Sequence, residues 1–192
     1  MNPKVRNIST EVLSDNWYTL NKITFDYQLK NGEWVRQMRE SYDRGNGATI
    51  LLYNIKKSTI ILIRQFRMPT YATSNQSGMI IETCAGLLDG DDPETCIIKE
   101  TEEETGYKIR NVKKIFESYM SPGAVTETIH FFIAEYSEQM KVSEGGGLIS
   151  EHEDIEILEV DFHKAFEMIN SGEIVDAKTI MLLQYARINL FH

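Results

Sequence analysis

The stretch Ala85–Tyr107, AGLLDGDDPETCIIKETEEETGY, decides how the rest of the chain is read. Asp92-Pro93 has the chemistry of a helix start: a side chain that accepts from the first free N–H groups, then a proline whose missing N–H costs nothing at the first helical position. Gly106 supplies the left-handed residue at which helices stop. The spacing therefore predicts a helix from Pro93 to about Thr105. Its last turns carry Glu100, Glu102, Glu103 and Glu104. The backbone dipole is negative there, so each carboxylate is unfavourable by about 0.3–1 kcal/mol. Like charges at i and i+4 add a similar penalty. The arrangement calls for a cation.

Glu100, Glu103 and Glu104 stand at i, i+3 and i+4 and project from one helical face. Hard divalent cations take carboxylate oxygens, and Mg²⁺ keeps most of its positions for water and substrate phosphate. A bare run of glutamates is more often a solvated face, here with Lys99 in partial compensation, so the flanking segments carry the decision.

Upstream, Asn16–Gly45 places aromatic and β-branched residues on both sides of Asn31-Gly32, which predicts a type I′ hairpin, with Thr10–Asp15 as a third strand. Residues 48–54 and 58–66 predict a second, apolar hairpin around Lys56-Lys57, and residues 78–86 one further strand ending at Gly86. Downstream, residues 112–120, 128–136 and 154–162 read as strands. Residues 161–172, capped by Asp161 and stopped by Gly172, and residues 177–191 read as helices. The glycine-rich, acidic segment 143–154 reads as a flexible loop. Strands and helices follow no regular β-α alternation, so the expected fold class is α/β in the α+β sense, a mixed sheet covered by helices. The N-terminal sheet, residues 1–44, is expected to stand apart from a main domain over 45–192, with its apolar face covered by a second copy of the chain.

At 192 residues, 42% hydrophobic and 26% charged, the chain is long enough for one well-buried core. No apolar run in the first thirty residues suggests a signal peptide, and none approaches the ~20 residues that span a bilayer, so a cytoplasmic location is expected, away from membranes. Cys84 and Cys96 lack metal-ligand spacing and read as small buried apolar residues. The net charge of -9 and the lack of a basic stripe argue against nucleic acid as a partner. A small anion met by local positive charge remains compatible.

Gly86 followed by Lys99–Tyr107 resembles the box that defines the Nudix hydrolases. In that family the pattern runs Gly, five residues, Glu, seven residues, then Arg-Glu-U-x-Glu-Glu-x-Gly-U with U apolar. Glu100, Glu103, Glu104 and Gly106 match it. Lys99 stands for the Arg, Thr101 fills an apolar position, Asp91 or Asp92 replaces the first Glu, and the loop is one residue short. The segment 119–127, with Pro122 sixteen residues beyond Gly106, is similar to the marker of the branch acting on ADP-ribose and nucleoside-diphosphate sugars. Segments 39–54, 62–67 and 81–89 extend that likeness nearly from end to end.

The resemblance implies a Nudix-type mixed sheet sandwiched by helices and hydrolysis of a nucleotide-sugar pyrophosphate bond. GDP-mannose is the expected substrate, giving GMP and mannose 1-phosphate. ADP-ribose is the alternative, and a nucleotide-sugar sensor without turnover is the alternative of another class. The expected cofactor is Mg²⁺, with Mn²⁺ as a substitute. Its implied ligands are Glu100, Glu104, Glu103, the Ala85 carbonyl and Glu153. Glu127 and Glu153 are the candidates for the general base, the resemblance favouring Glu153 as a further metal ligand and leaving Glu127 as a substrate or base residue. Glu151 competes with Glu153, which is preferred because the strand after it sets the register. Substrate contacts fall on Trp17, Arg39, Glu40, Arg67, Ala85, Gly86, Leu87, Glu104, Glu127, Glu153 and Lys178. Trp17 is read equally as a purine stack or a hairpin core residue. Arg64 reads as a structural ion partner, and His130, His152 and His163 show no ligand spacing. A homodimer is expected, with exchange of the N-terminal sheet between copies as one arrangement.

Overall fold

The computed structural model describes residues 4–73 and 77–191. Two compact units emerge: Met1–Asn46 with Ser118–Ile129, and Gly47–Glu117 with His130–His192.

In the first unit, β1 (Val5–Asp15), β2 (Thr19–Gln28) and β3 (Trp34–Asp43) form an antiparallel sheet in that order. The hairpin and its third strand are where the sequence puts them, but the turn is of another type. A type I′ turn needs positive φ at both central residues. Gly32 has φ of +89°, while Asn31 is absent from the positive-φ residues. Leu29 instead pairs with Glu33 through its N–H at 2.8 Å, and Gly32 donates back to Leu29 O at 3.0 Å. Asn31 uses its side chain to accept from Glu33 N at 3.0 Å, which lengthens the loop. Residues 118–129 belong to this unit because Tyr42 N donates to Ala124 O and Thr126 N to Tyr42 O, extending the β3 edge. The outer strand β1 leaves Ile8 65% and Val12 59% exposed.

The second unit opens with β4 (Gly47–Asn54) and β5 (Thr59–Phe66), the expected hairpin. It continues through α1 (Met68–Thr73), β6 (Met79–Glu82), β7 (Cys84–Leu87) and α2 (Pro93–Thr105). After these come β8 (Lys113–Tyr119), β9 (Thr128–Glu135), β10 (Glu156–Asp161), α3 (Phe162–Ser171) and α4 (Ala177–Asn189). The sheet runs β10-β5-β4-β9-β8, with β6 beside β5 and β7 beside β4. Strand β4 is buried along nearly its whole length. Ala48, Ile50 and Leu52 share one core with Cys96 and Ile97 of α2. Since side chains alternate across a strand, Thr49 and Leu51 face the other side, where α4 packs.

Three features depart from the sequence reading. Helix α1 was not foreseen, because its six residues carry neither an apolar period nor a charged turn. The strand expected over 78–86 breaks at Thr83 and changes partner, from β5 to β4. Thr83 N donates instead to Thr179 Oγ1 at 2.7 Å, so the break is fixed by a buried hydroxyl of α4. The segment expected to be a flexible loop is pinned to the end of α2. Gly146 N donates to Glu104 O at 2.9 Å, Gly147 N to Glu103 O at 3.1 Å and Val142 N to Gly106 O at 2.8 Å. A helix end leaves its last carbonyls without partners, and this loop supplies them. A side chain at Gly145 would overlap the backbone of Glu104 and Thr105, so the approach requires glycine there.

Candidate active site

Helix α2 begins and ends as the sequence dictates. Asp92 accepts from Glu94 N and Thr95 N at 3.1 Å, and Gly106 closes the helix at φ of +76°. Thr101, at the position where the Nudix pattern has an apolar residue, is fully buried. Its hydroxyl is satisfied by donating to Ile97 O at 2.6 Å. Lys99 lies 3.8 Å from Glu103, one turn on.

The acidic residues of α2 divide by direction. Glu104 turns inward, 2% exposed, and its carboxylate accepts from Ala85 N at 3.2 Å. Burial pushes this carboxyl up to about 8; the charges of Glu100 and Glu153 push the same way, against donation from the Cys84 thiol and the Ala85 N–H. Glu100 lies against Gly86, where a Cβ would overlap its carboxylate, so the glycine makes room for that side chain. Glu103 lines an open groove with Lys99, Glu102 and the pinned loop. Glu153 accepts from Leu148 N at 2.9 Å. The side chain of the competing Glu151 lies outside the described residues. Among the described residues, no three His, Cys, Asp or Glu side chains are gathered as a ready-made metal cage. The donor set still fits a hard divalent cation. Glu100, Glu104 and Glu153 are carboxylates close enough for Glu100 and Glu153 to raise the proton affinity of the buried Glu104, and the Arg67 charge reaches the same group.

Positive charge gathers around Glu82, three residues before Ala85. Arg67 holds Glu82 with two hydrogen bonds, Nε to Oε1 at 3.0 Å and Nη2 to Oε2 at 2.9 Å. Lys178, near the start of α4, reaches the same Oε2 at 2.9 Å and Asp176 at 3.0 Å. Asp176 also caps α4 by accepting from Thr179 N at 3.0 Å. Burial works to raise the Glu82 carboxyl, yet Arg67 and Lys178 override it and hold it below the ordinary carboxylate range. The sequence reading named both cations and missed Glu82, which lies inside the quoted likeness at 81–89 with no spacing signal of its own. Arg64 pairs with Glu156, the structural partner expected of it. Cys84 and Cys96 are buried free thiols, as expected.

In the first unit, Trp17 is 85% exposed between β1 and β2, so it is not a hairpin core residue. It meets Tyr18 edge-on at 6.3 Å. Arg39 and Glu40 are exposed on β3, Arg39 donating to Met38 O and to the Gln37 side chain. Glu127 is buried and pairs with Arg44 at 3.1 Å. Arg44 was not singled out from sequence: it sits in the glycine-punctuated turn after β3. Its Nε is buried without a partner among the described residues, and its guanidinium lies 5.6 Å from the Tyr18 ring.

The helix that carries Glu100, Glu103 and Glu104 and stops at Gly106 is the segment on which the resemblance to the Nudix box rests. Residues 43–183 match the NUDIX domain, and the chain belongs to that family. Residues 4–42 match the GDP-mannose pyrophosphatase NudK N-terminal domain. The chain is 58% identical over 189 residues, 98% of each chain, to proteins called GDP-mannose pyrophosphatase from Shigella dysenteriae and Escherichia coli O157:H7. It is 59% identical over 185 residues, 96% of each chain, to a protein of that name from Escherichia coli O139:H28. Among the described residues no helix is long and apolar enough to cross a membrane.

Proposed function

We propose that the chain hydrolyses the pyrophosphate bond of a nucleoside-diphosphate sugar, with GDP-mannose as substrate and GMP and mannose 1-phosphate as products. Glu104 carries the chemical part of this reading: a nearly inaccessible carboxyl whose proton affinity burial raises, facing Ala85 N–H, with Glu100 seated against the adjacent Gly86. The activity named for relatives covering nearly the whole chain, N-terminal segment included, supports the substrate.

Glu100, Glu104, the Ala85 carbonyl and Glu153 would hold Mg²⁺ or Mn²⁺, with Glu103 beside them. Bound divalent cations screen the diphosphate charge and acidify a water. As a ligand Glu104 would act in its ionised form, since only the carboxylate donates to a hard cation. Arg67 and Lys178 supply directed hydrogen bonds to the diphosphate. The backbone of Gly86 and Leu87 borders the same ground. Glu127 orients substrate or takes the proton of the attacking water. Trp17, free of the core, offers an aromatic face to the base, while Arg39 and Glu40 read the nucleotide.

The exposed apolar residues of β1 fit burial against a second copy, and a dimer in which Trp17, Arg39 and Glu40 complete the neighbour's site is part of the proposal. Mixed dimers with Arg39→Ala in one chain and Glu104→Gln in the other regain activity if sites are shared; no regain rejects sharing. Turnover of GDP-mannose, GDP-glucose and ADP-ribose at equal protein concentration in ¹⁸O-labelled water tests the activity and locates the attacked phosphorus. Preference for ADP-ribose rejects the substrate, and binding without product release rejects the enzyme.

A further inference from the structure

Glu82 is the hinge of a four-membered charge cluster. Its side chain is 5% exposed, and the Oε2 atom alone accepts from both Arg67 and Lys178, each at 2.9 Å. Two cations sharing one oxygen are held at a separation set by that oxygen, close enough to contact a single anionic group. Arg67 is further fixed in orientation because Nε is bound to Oε1 of the same carboxylate. Lys178 is fixed by Asp176, itself immobilised as the cap of α4. The cluster pairs two cationic side chains with two carboxylates. The cluster therefore offers an incoming phosphate directed donors in place of a net positive field.

Glu82 also ends β6, three residues before Ala85, and the intervening Thr83 is clamped to α4 through Thr179. The strand β7 that presents Ala85 to Glu104 thus follows the carboxylate that holds the cations across a single clamped residue. From this geometry we infer that Glu82 is a positioning residue for substrate: it acts through Arg67 and Lys178, presetting them as a two-pronged clamp on one phosphate of a diphosphate. The inference rests on the diphosphate-binding part of the function proposed above. Pre-organisation of this kind lowers the ordering cost of binding, and groups acting as one unit show strong non-additivity when removed in pairs.

Binding of inorganic pyrophosphate in the presence of Mg²⁺, followed by calorimetry, tests the clamp without requiring turnover. Glu82→Gln keeps the shape of the side chain and is expected to weaken binding about tenfold, whereas in an Arg67→Ala background the same change is expected to cost less than about twofold. Equal or tighter binding by Glu82→Gln, or the same factor in both backgrounds, overturns the inference. A second measurement uses the unaltered protein: the Arg67 Nε–H should exchange slowly with solvent both before and after pyrophosphate is added. Fast exchange after addition would mean that the ligand displaces Glu82, which also overturns it. If the unaltered protein turns over GDP-mannose and Glu82→Gln leaves KM unmoved, this inference fails and the function stands. If the unaltered protein turns over no nucleotide sugar, the function fails and pyrophosphate binding still decides the role of Glu82.

Discussion

Glu82 and Glu104 are the same residue type at nearly equal depth, 4% and 2% exposed, on neighbouring parts of one unit, and their acidities are driven in opposite directions. Glu82 is held low by two cations that the chain carries itself. Glu104 is pushed up to about 8 because burial dominates and the charges of Glu100 and Glu153 add to it. Burial alone always opposes the ionised form; the sign of the outcome depends on whether a partner charge has been folded in. A buried carboxyl whose nearest charges are mostly carboxylates holds its proton, whereas one bonded directly to two cations is held ionised.

The largest expected effect that could break this contrast is on activity. Glu104→Gln should lower turnover of the nucleotide sugar by about 10²–10³ or more, as loss of a group that stabilises transition-state charge does. The metal-free protein should melt no lower than the unaltered one near neutral pH, because the cost of keeping that buried carboxyl protonated is gone. Activity retained with a collapsed melting temperature would mean that Glu104 is structural. Next in size, Lys178→Met leaves Glu82 with one cation where it had two, and removing a partner from a buried pair should destabilise the fold by about 3 kcal/mol, the low end for such a loss because Arg67 stays. Urea denaturation gives that number. A change near zero would show Arg67 alone to be sufficient for Glu82.

Smaller effects sharpen the contrast through pH. In the metal-free protein Glu104 has its raised value of about 8 only when folded, and the ordinary 4.5 when unfolded. Below pH 4.5 both states keep the proton. Between 4.5 and 8 only the unfolded state sheds it, so stability falls as pH rises, and above 8 it levels off. Melting temperature against pH should show this decline, and Glu104→Gln should flatten it. Glu82 runs the other way: its contribution is full above the ordinary carboxylate value and is lost as pH falls through its depressed one. The smallest effect is expected of Asp176→Asn, which preserves the cap of α4 but removes one of the two anions beside Lys178. A loss below about 1 kcal/mol on chemical denaturation is in keeping with a partner whose role Glu82 largely covers.

Much of this molecule could be read locally. The limits of α2 follow from Asp92, Pro93 and Gly106 because capping is short-range chemistry between residues a few positions apart. The carboxylates at i, i+3 and i+4 were legible for the same reason, as were the two hairpins. Even there the turn at Asn31-Gly32 escaped, since the choice between a two-residue turn and a longer one depended on whether the Asn31 side chain would accept from Glu33. The glycine-rich segment looked mobile by composition, but its N–H groups had partners waiting in the orphan carbonyls at the end of α2.

The amino-acid sequence by itself determined the acidic helix, its caps and the membership of the chain in a family of metal-dependent hydrolases, because those depend on residue types at fixed separations. Only the tertiary structure decided that Glu104 faces inward while Glu103 faces a groove, that Glu127 is paired with Arg44, and that Glu82 joins Arg67 to Lys178 from positions far apart in the chain. Such roles are set by which charges packing brings within a few ångströms of one another and shields from water, and no spacing along the backbone encodes that.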